Sequence, residues 1–179
     1  MPRLCVFCGS NAGSAPAFAA AATQLGTALA GRDIGLVYGG GEVGLMGTVA
    51  DAVLAAGGEV VGVIPRALVD LEIAHRGLTE QNVVDTMHQR KAMMFSLADA
   101  FIVAPGGLGT LEEAFETLVG IQLRYHAKPV VFLDVDDFWP PLVAFLDHAV
   151  AAGVLSAEVR TLFRTASSAA AALDAVVTS

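Results

Sequence analysis

Residues 105–113 read Pro-Gly-Gly-Leu-Gly-Thr-Leu-Glu-Glu. Glycines there free the backbone to aim successive N–H groups at one point, and a helix opening at the turn adds its positive end. That is the chemistry of an anion site. A phosphate monoester would sit on the turn, with the Thr110 hydroxyl as one more donor. The same letters carry a structural reading, because Thr110-Leu111-Glu112-Glu113 spells the S/T-x-x-E of a capping box. Two features favour chemistry for Glu113. Leu111, Ala114, Phe115, Leu118 and Ile121 form the apolar stripe of the helix, which leaves Glu113 and Glu116 one turn apart on another side. A carboxylate beside a phosphate-binding terminus also weakens anion affinity, so it is placed for reaction rather than for binding.

A second segment, Asp85-Thr86-Met87-His88-Gln89-Arg90-Lys91-Ala92-Met93-Met94, sets two cations beside an apolar helical stripe. Asp85 or Thr86 can cap the helix. Arg90 and Lys91 need anionic partners or a route to water. They either snorkel into surface ion pairs or, in the functional reading, the guanidinium meets a ligand phosphate, Glu113, or both. His88 reads as a helix-surface histidine, and His75, His126 and His148 have no motif context. Glu72, in Leu68-Val69-Asp70-Leu71-Glu72-Ile73, reads as a solvated loop acid.

A third segment, Gly39-Gly40-Gly41-Glu42-Val43-Gly44-Leu45-Met46-Gly47, contains G-x-G-x-x-G between an apolar run and a helical one. A dinucleotide site would also want an acid at the end of the next strand, and Val60–Ile64 runs instead into Pro65-Arg66. The glycines serve a ligand phosphate or a tight turn with close packing. An ATP P-loop is excluded, because neither Lys91 nor Lys128, the only lysines, follows a G-x-x-x-x-G. Cys5 and Cys8 spell C-x-x-C on an expected strand. There they point to opposite faces, as buried core thiols do rather than a redox or metal pair.

These segments need positioning, and the rest of the chain shows how. Expected strands are Leu4–Cys8, Ile34–Tyr38, Val60–Ile64, Asn82–Val84, Ala100–Val103 and Val130–Leu133. Most are continuous apolar runs, the mark of a parallel sheet covered on both faces. Expected helices are Ala15–Ala30, Gly44–Ala56, Met87–Ala98, Thr110–Leu123, Phe138–Ala151, Ala157–Phe163 and Ser168–Val176, the last read as peripheral. The alternation predicts a single α/β domain over residues 1–179, a doubly wound parallel sheet in three α/β/α layers. In such a fold ligands bind beyond the carboxyl ends of the strands. The turns at Gly9-Ser10-Asn11-Ala12-Gly13, Gly39–Gly47 and Pro105–Thr110 then converge on one crevice.

The chain has 179 residues, 55% of them hydrophobic and 16% charged, which excludes disorder for most of its length. A net charge of -8 argues against a nucleic acid polymer as partner. No apolar stretch reaches the length of a membrane span and no secretory h-region is present, so a cytoplasmic protein without a membrane partner is expected. The apolar surplus points to a subunit interface.

Taken together, Gly39-Gly40-Gly41 with Gly44-Leu45-Met46-Gly47, Met87-His88-Gln89-Arg90-Lys91, and P-G-G-x-G-T-x-x-E at Pro105–Glu113 resemble the LOG (Lonely Guy) family, from Cys5 to about Val154. The resemblance implies a Rossmann-like fold and a homodimer with active sites near the subunit interface. It implies hydrolysis of the N-glycosidic bond of N6-substituted adenosine 5′-monophosphates, without metal or redox cofactor. By the same resemblance Arg90 and Glu113 are the catalytic pair, and Glu72, Lys91, Gly107, Leu108, Gly109, Thr110, Leu111 and Glu112 bind substrate. Gly39, Gly40, Gly41 and Gly44 join Pro105–Thr110 in holding the 5′-phosphate. Val119 stands where the family often has Thr, and Val69-Asp70-Leu71 where members often have Pro and Arg. A carrier of nucleotides or phosphorylated cofactors on the same fold is the rival of another class, and Glu113 with Arg90 favours the enzyme. Lysine decarboxylation, a label many members once carried, needs a Schiff-base lysine, which neither Lys91 nor Lys128 resembles in context.

Overall fold

The computed structural model describes residues 1–69 and 73–177. Seven strands form one parallel sheet: β1 (Arg3–Phe7), β2 (Gly35–Tyr38), β3 (Val60–Pro65), β4 (Glu80–Val84), β5 (Ala100–Val103), β6 (Val130–Leu133) and β7 (Arg164–Ala166). The helices are α1 (Pro16–Ala30), α2 (Gly44–Ala55), α3 (Met87–Leu97), α4 (Leu108–Gln122), α5 (Pro140–Ala151) and α6 (Ala169–Val177). The order across the sheet is β4-β3-β2-β1-β5-β6-β7. The chain winds outward from β1 in one direction, then restarts at β5 on its other side. It is a Rossmann-like, doubly wound α/β fold whose switch point lies between β1 and β5.

The apolar runs become strands because both faces are covered. Leu4, Val6, Leu36, Tyr38 and Ile102 face the layer of α1, α2 and α6, while Cys5, Phe7, Val37, Phe101 and Val103 face α3, α4 and α5. Cys5 and Cys8 fall in opposite layers, buried and unbridged, as their spacing predicts. Among the described residues no helix is long and apolar enough to cross a membrane.

Three local expectations change. The α4 helix begins at Leu108, with Gly107 at its N-cap, so Thr110 lies inside the first turn and caps nothing. The capping box sits instead on α3: Thr86 Oγ1 accepts the Gln89 N–H, and Gln89 Oε1 accepts the Thr86 N–H, both at 3.2 Å. The expected helix Ala157–Phe163 is a 3₁₀ turn, Ala157–Thr161, which feeds the unexpected strand β7. At three residues β7 is too short to show a periodicity, and its pairing with β6 defines it. The α6 helix lies toward the β6–β7 end, yet Ala172 and Leu173 are fully buried, so it is part of the core rather than an appendage.

Candidate active site

Gly9, two residues past the end of β1, is the joint of the site. Its N–H donates to Pro105 O at 3.0 Å, tying the turn after β1 to the turn after β5. Its carbonyl accepts from Leu45 and Met46 at 3.0 and 3.3 Å, so two N–H groups of the α2 N-terminus are already satisfied by protein. The N-terminus of α4 differs. Its first intrahelical bond runs from Leu111 N–H to Gly107 O at 3.0 Å, which leaves Leu108, Gly109 and Thr110 as the orphan donors of the first turn. These three residues line a crevice of about 490 Å³ at the switch point. Asn11, Phe18, Met87, Leu68 and Phe138 also line it.

Arg90 enters this crevice from α3 and is only 5% exposed. Its Nε donates to Val63 O at 3.1 Å, within β3, and its Nη2 to Gly39 O at 2.8 Å, just past the end of β2. Gly39 is glycine for a steric reason: a β-carbon there would overlap the guanidinium. Lys91, one residue on, faces elsewhere. Its ammonium bridges Glu112 at 2.8 Å and Glu116 at 3.0 Å, and the bond to Glu112 raises its pKa. The two adjacent cations therefore take the two alternatives separately, Lys91 in surface ion pairs and Arg90 in the crevice.

Glu113 lines the crevice and also a second cavity of about 370 Å³ between α3 and α4, and it is the one residue common to both linings. The second cavity has carbon walls from Phe7, Ala92 and Phe95. Several polar groups around it are committed elsewhere. Thr117 Oγ1 donates to Glu113 O at 2.9 Å, and the His126 ring lies 3.0 Å from Thr117 O. Burial pushes the Cys5 and Cys8 thiols up, and the Glu113 carboxylate adds to it. The thiols are therefore inert neighbours of the site rather than nucleophiles.

The crevice thus gathers Gly39, Arg90, Gly107, Leu108, Gly109, Thr110, Glu112 and Glu113 of the residues singled out in the sequence. Gly40, Gly41, Gly44 and Leu111 are not among its lining residues, and Lys91 lines the second cavity. Glu72 lies outside the described residues. Phe18 and Phe138, which meet edge to face at 5.6 Å, were not singled out, because an isolated Phe at the start of a helix reads as core. His88 is exposed, as expected.

A family model described as "Possible lysine decarboxylase" matches residues 46–176. A probable cytokinin riboside 5′-monophosphate phosphoribohydrolase of Oryza sativa subsp. japonica is 49% identical over 164 residues, 92% of this chain and 74% of that protein. A cytokinin riboside 5′-monophosphate phosphoribohydrolase of Arabidopsis thaliana is 47% identical over 167 residues, 93% of this chain and 78% of that protein. Among solved structures, a molybdenum cofactor binding protein from the phototrophic bacterium Rippkaea orientalis aligns with a TM-score of 0.74 at 22% identity, covering 99% of this chain and 96% of the other. That likeness is one of fold.

Proposed function

This chain belongs to the LOG family of cytokinin riboside 5′-monophosphate phosphoribohydrolases, and on that premise we propose that it hydrolyses N6-substituted adenosine 5′-monophosphates to the free base and ribose 5-phosphate. The observation that carries the reading is Glu113, set on a wall shared by an open helix N-terminus and an apolar cavity. The 5′-phosphate accepts the N–H groups of Leu108, Gly109 and Thr110, where the helix dipole favours negative charge. Glu113 lies five residues beyond Leu108 along α4, about 7.5 Å of helix rise, which is the scale of a ribose 5-phosphate. The anomeric carbon then reaches the carboxylate, and the second cavity takes the base with its N6 substituent.

Breaking the glycosidic bond develops positive charge on the sugar, as in glycoside hydrolysis. Glu113 stabilises that charge and takes a proton from the attacking water. The water oxygen bonds to C1′, the bond from C1′ to the base nitrogen breaks, and the base leaves carrying the proton. Arg90, clamped by two carbonyls, orients Glu113 and offers a fixed cation to substrate anions. The phosphate anchor supplies binding energy remote from the bond being broken, so a nucleoside should react poorly.

Lysine decarboxylation does not fit the donor set. It would use pyridoxal phosphate in Schiff-base linkage to a lysine. Lys91 is held by two carboxylates, Lys128 donates to Phe95 O at 2.7 Å, and neither lines the crevice.

Base release measured by chromatography tests the proposal, with AMP, isopentenyl-AMP and isopentenyl-adenosine as substrates. Release is expected from a monophosphate and not from the nucleoside. Glu113→Gln is expected to lower it by ~10²–10⁴-fold. A folded protein that binds these nucleotides and releases no base would instead be a carrier. The working form we propose is a cytoplasmic homodimer. Support for the dimer is the exposed apolar group Val119, Leu123 and Tyr125 at the far end of α4. A monomer mass by light scattering at micromolar concentration would refute the dimer.

A further inference from the structure

His75 has no motif around it in the sequence, yet it is 8% exposed and sits behind the crevice. The segment before β4 crosses the Gly39–Gly41 turn as a short antiparallel strap. Glu42 N–H donates to Ile73 O at 2.8 Å, Ala74 pairs with Gly41, and His75 N–H donates to Gly40 O at 3.0 Å. The His75 ring then fastens the strap at two points. Its Nδ1 accepts the Gly77 N–H at 3.0 Å, which puts the ring proton on Nε2, and Nε2 donates to Asp51 Oδ1 on α2 at 3.0 Å.

The consecutive carbonyls of Gly39 and Gly40 are held from different sides of the turn. Gly39 O accepts from the Arg90 guanidinium, and Gly40 O accepts the His75 backbone N–H at 3.0 Å and, at a longer 3.4 Å, the Gln81 side-chain amide. Gly40 has φ +78°, a conformation open to glycine alone at little cost, and without the strap its carbonyl keeps only the longer Gln81 bond. Losing the strap would therefore let the turn rotate and carry Gly39 O away from Arg90.

We propose that His75 is a positioning residue: through Asp51 it latches residues 73–77 onto the Gly39–Gly41 turn, and that turn keeps Arg90 aimed into the crevice. The kinetic part of this inference rests on the hydrolase reading, while the latch itself does not.

Trypsin reads the latch without reference to activity, because Arg76 lies within the strap with its side chain exposed, and Arg66, also exposed, precedes it. His75→Ala and Asp51→Ala should each speed cleavage after Arg76 about 10-fold, with cleavage after Arg160 unchanged, since only local opening is altered. Asp51 is the milder site, its side chain being 69% exposed, and it keeps the test decisive where His75→Ala loses the fold. In base release from AMP or isopentenyl-AMP, kcat should fall about 10-fold through misplacement of Arg90, with KM within about 3-fold because the phosphate sits on the other turn. His75→Gln, which can present an amide N–H near the Nε2 position, should recover most of both losses.

Wild-type cleavage after Arg76 in Asp51→Ala overturns the latch. Faster cleavage with unchanged kcat, or a Gln variant no better than Ala, overturns the positioning role. A wild-type protein that releases no base, beside a normal cleavage response, removes the hydrolase reading and leaves the latch standing.

Discussion

The two glycine-rich turns, at Gly39–Gly47 and Pro105–Gly109, read alike in the sequence and do different work. In the first, the space a side chain would need is taken by protein. A β-carbon on Gly44 would overlap the Ser10 backbone, one on Gly47 the Glu42 backbone, and Gly44 also has φ +62°. In the second, only Gly106 is packed in that way, against Thr110 and Gly9, whereas a β-carbon on Gly107 or Gly109 would meet nothing within 4 Å. A glycine with no neighbour to avoid and no left-handed backbone is what the proposed phosphate site calls for, since a ligand could approach its backbone closely. The helix termini agree: Gly9 O occupies the N–H groups of Leu45 and Met46, while the first turn of α4 opens on the crevice. One turn packs the fold and holds Arg90; the other is left open at Gly107 and Gly109, as the proposed phosphate site requires.

Substitutions can break that division or sharpen it. Gly44→Ala should have the largest effect on the fold, losing about 3 kcal/mol from left-handed strain and overlap with backbone. Thermal denaturation should show Tm lower by roughly 10 °C, and a shift of less than about 2 °C would end the packing account of this turn. Gly107→Ala should do the reverse. Its φ of -96° suits alanine, so stability should change by less than about 1 kcal/mol. The added methyl stands where the phosphate approaches, and KM for a monophosphate should rise about 10-fold. An unchanged KM would remove the ligand from this turn. Gly109→Ala is the finest of the three, because this residue lies within α4 and outside the left-handed region. It should stabilise the protein by about 0.5–1 kcal/mol through helix propensity, raising Tm by a few degrees. A lowered Tm would show that its surroundings are less open than the geometry indicates.

Much of the architecture was legible because it rests on local composition. The strands β2, β3, β5 and β6 are apolar runs bounded by glycine, proline or charge, and they stand within a residue or two of their expected limits. The places that escaped are those where a partner decides. The β7 strand exists by pairing with β6, and the first turn of α4 starts at Leu108 because Gly107 can serve as N-cap ahead of a threonine better suited by type. At the candidate site Arg90 and Glu113 stood out by residue type and spacing. Phe18 and Phe138 did not, since two phenylalanines 120 positions apart acquire a common role only when the turns after β1 and β6 meet.

From its sequence alone this chain was committed to a doubly wound α/β sheet, buried thiols on opposite faces, and a glycine-rich turn leading into a helix with a carboxylate near its start. Each follows from short-range periodicity, the geometry of a single strand or helix, and the chemistry of the side chains. Tertiary structure alone decided which orphan N–H groups stay open to the crevice, because the Gly9 carbonyl reaches α2 across 35 residues and, among the described residues, no such backbone carbonyl reaches the first turn of α4. It also separated Arg90 from Lys91. Neighbours on a helix differ by about 100° in direction, and the packing of α3 against β2 and β3 turned that angle into a buried guanidinium in the crevice and an ammonium in surface ion pairs.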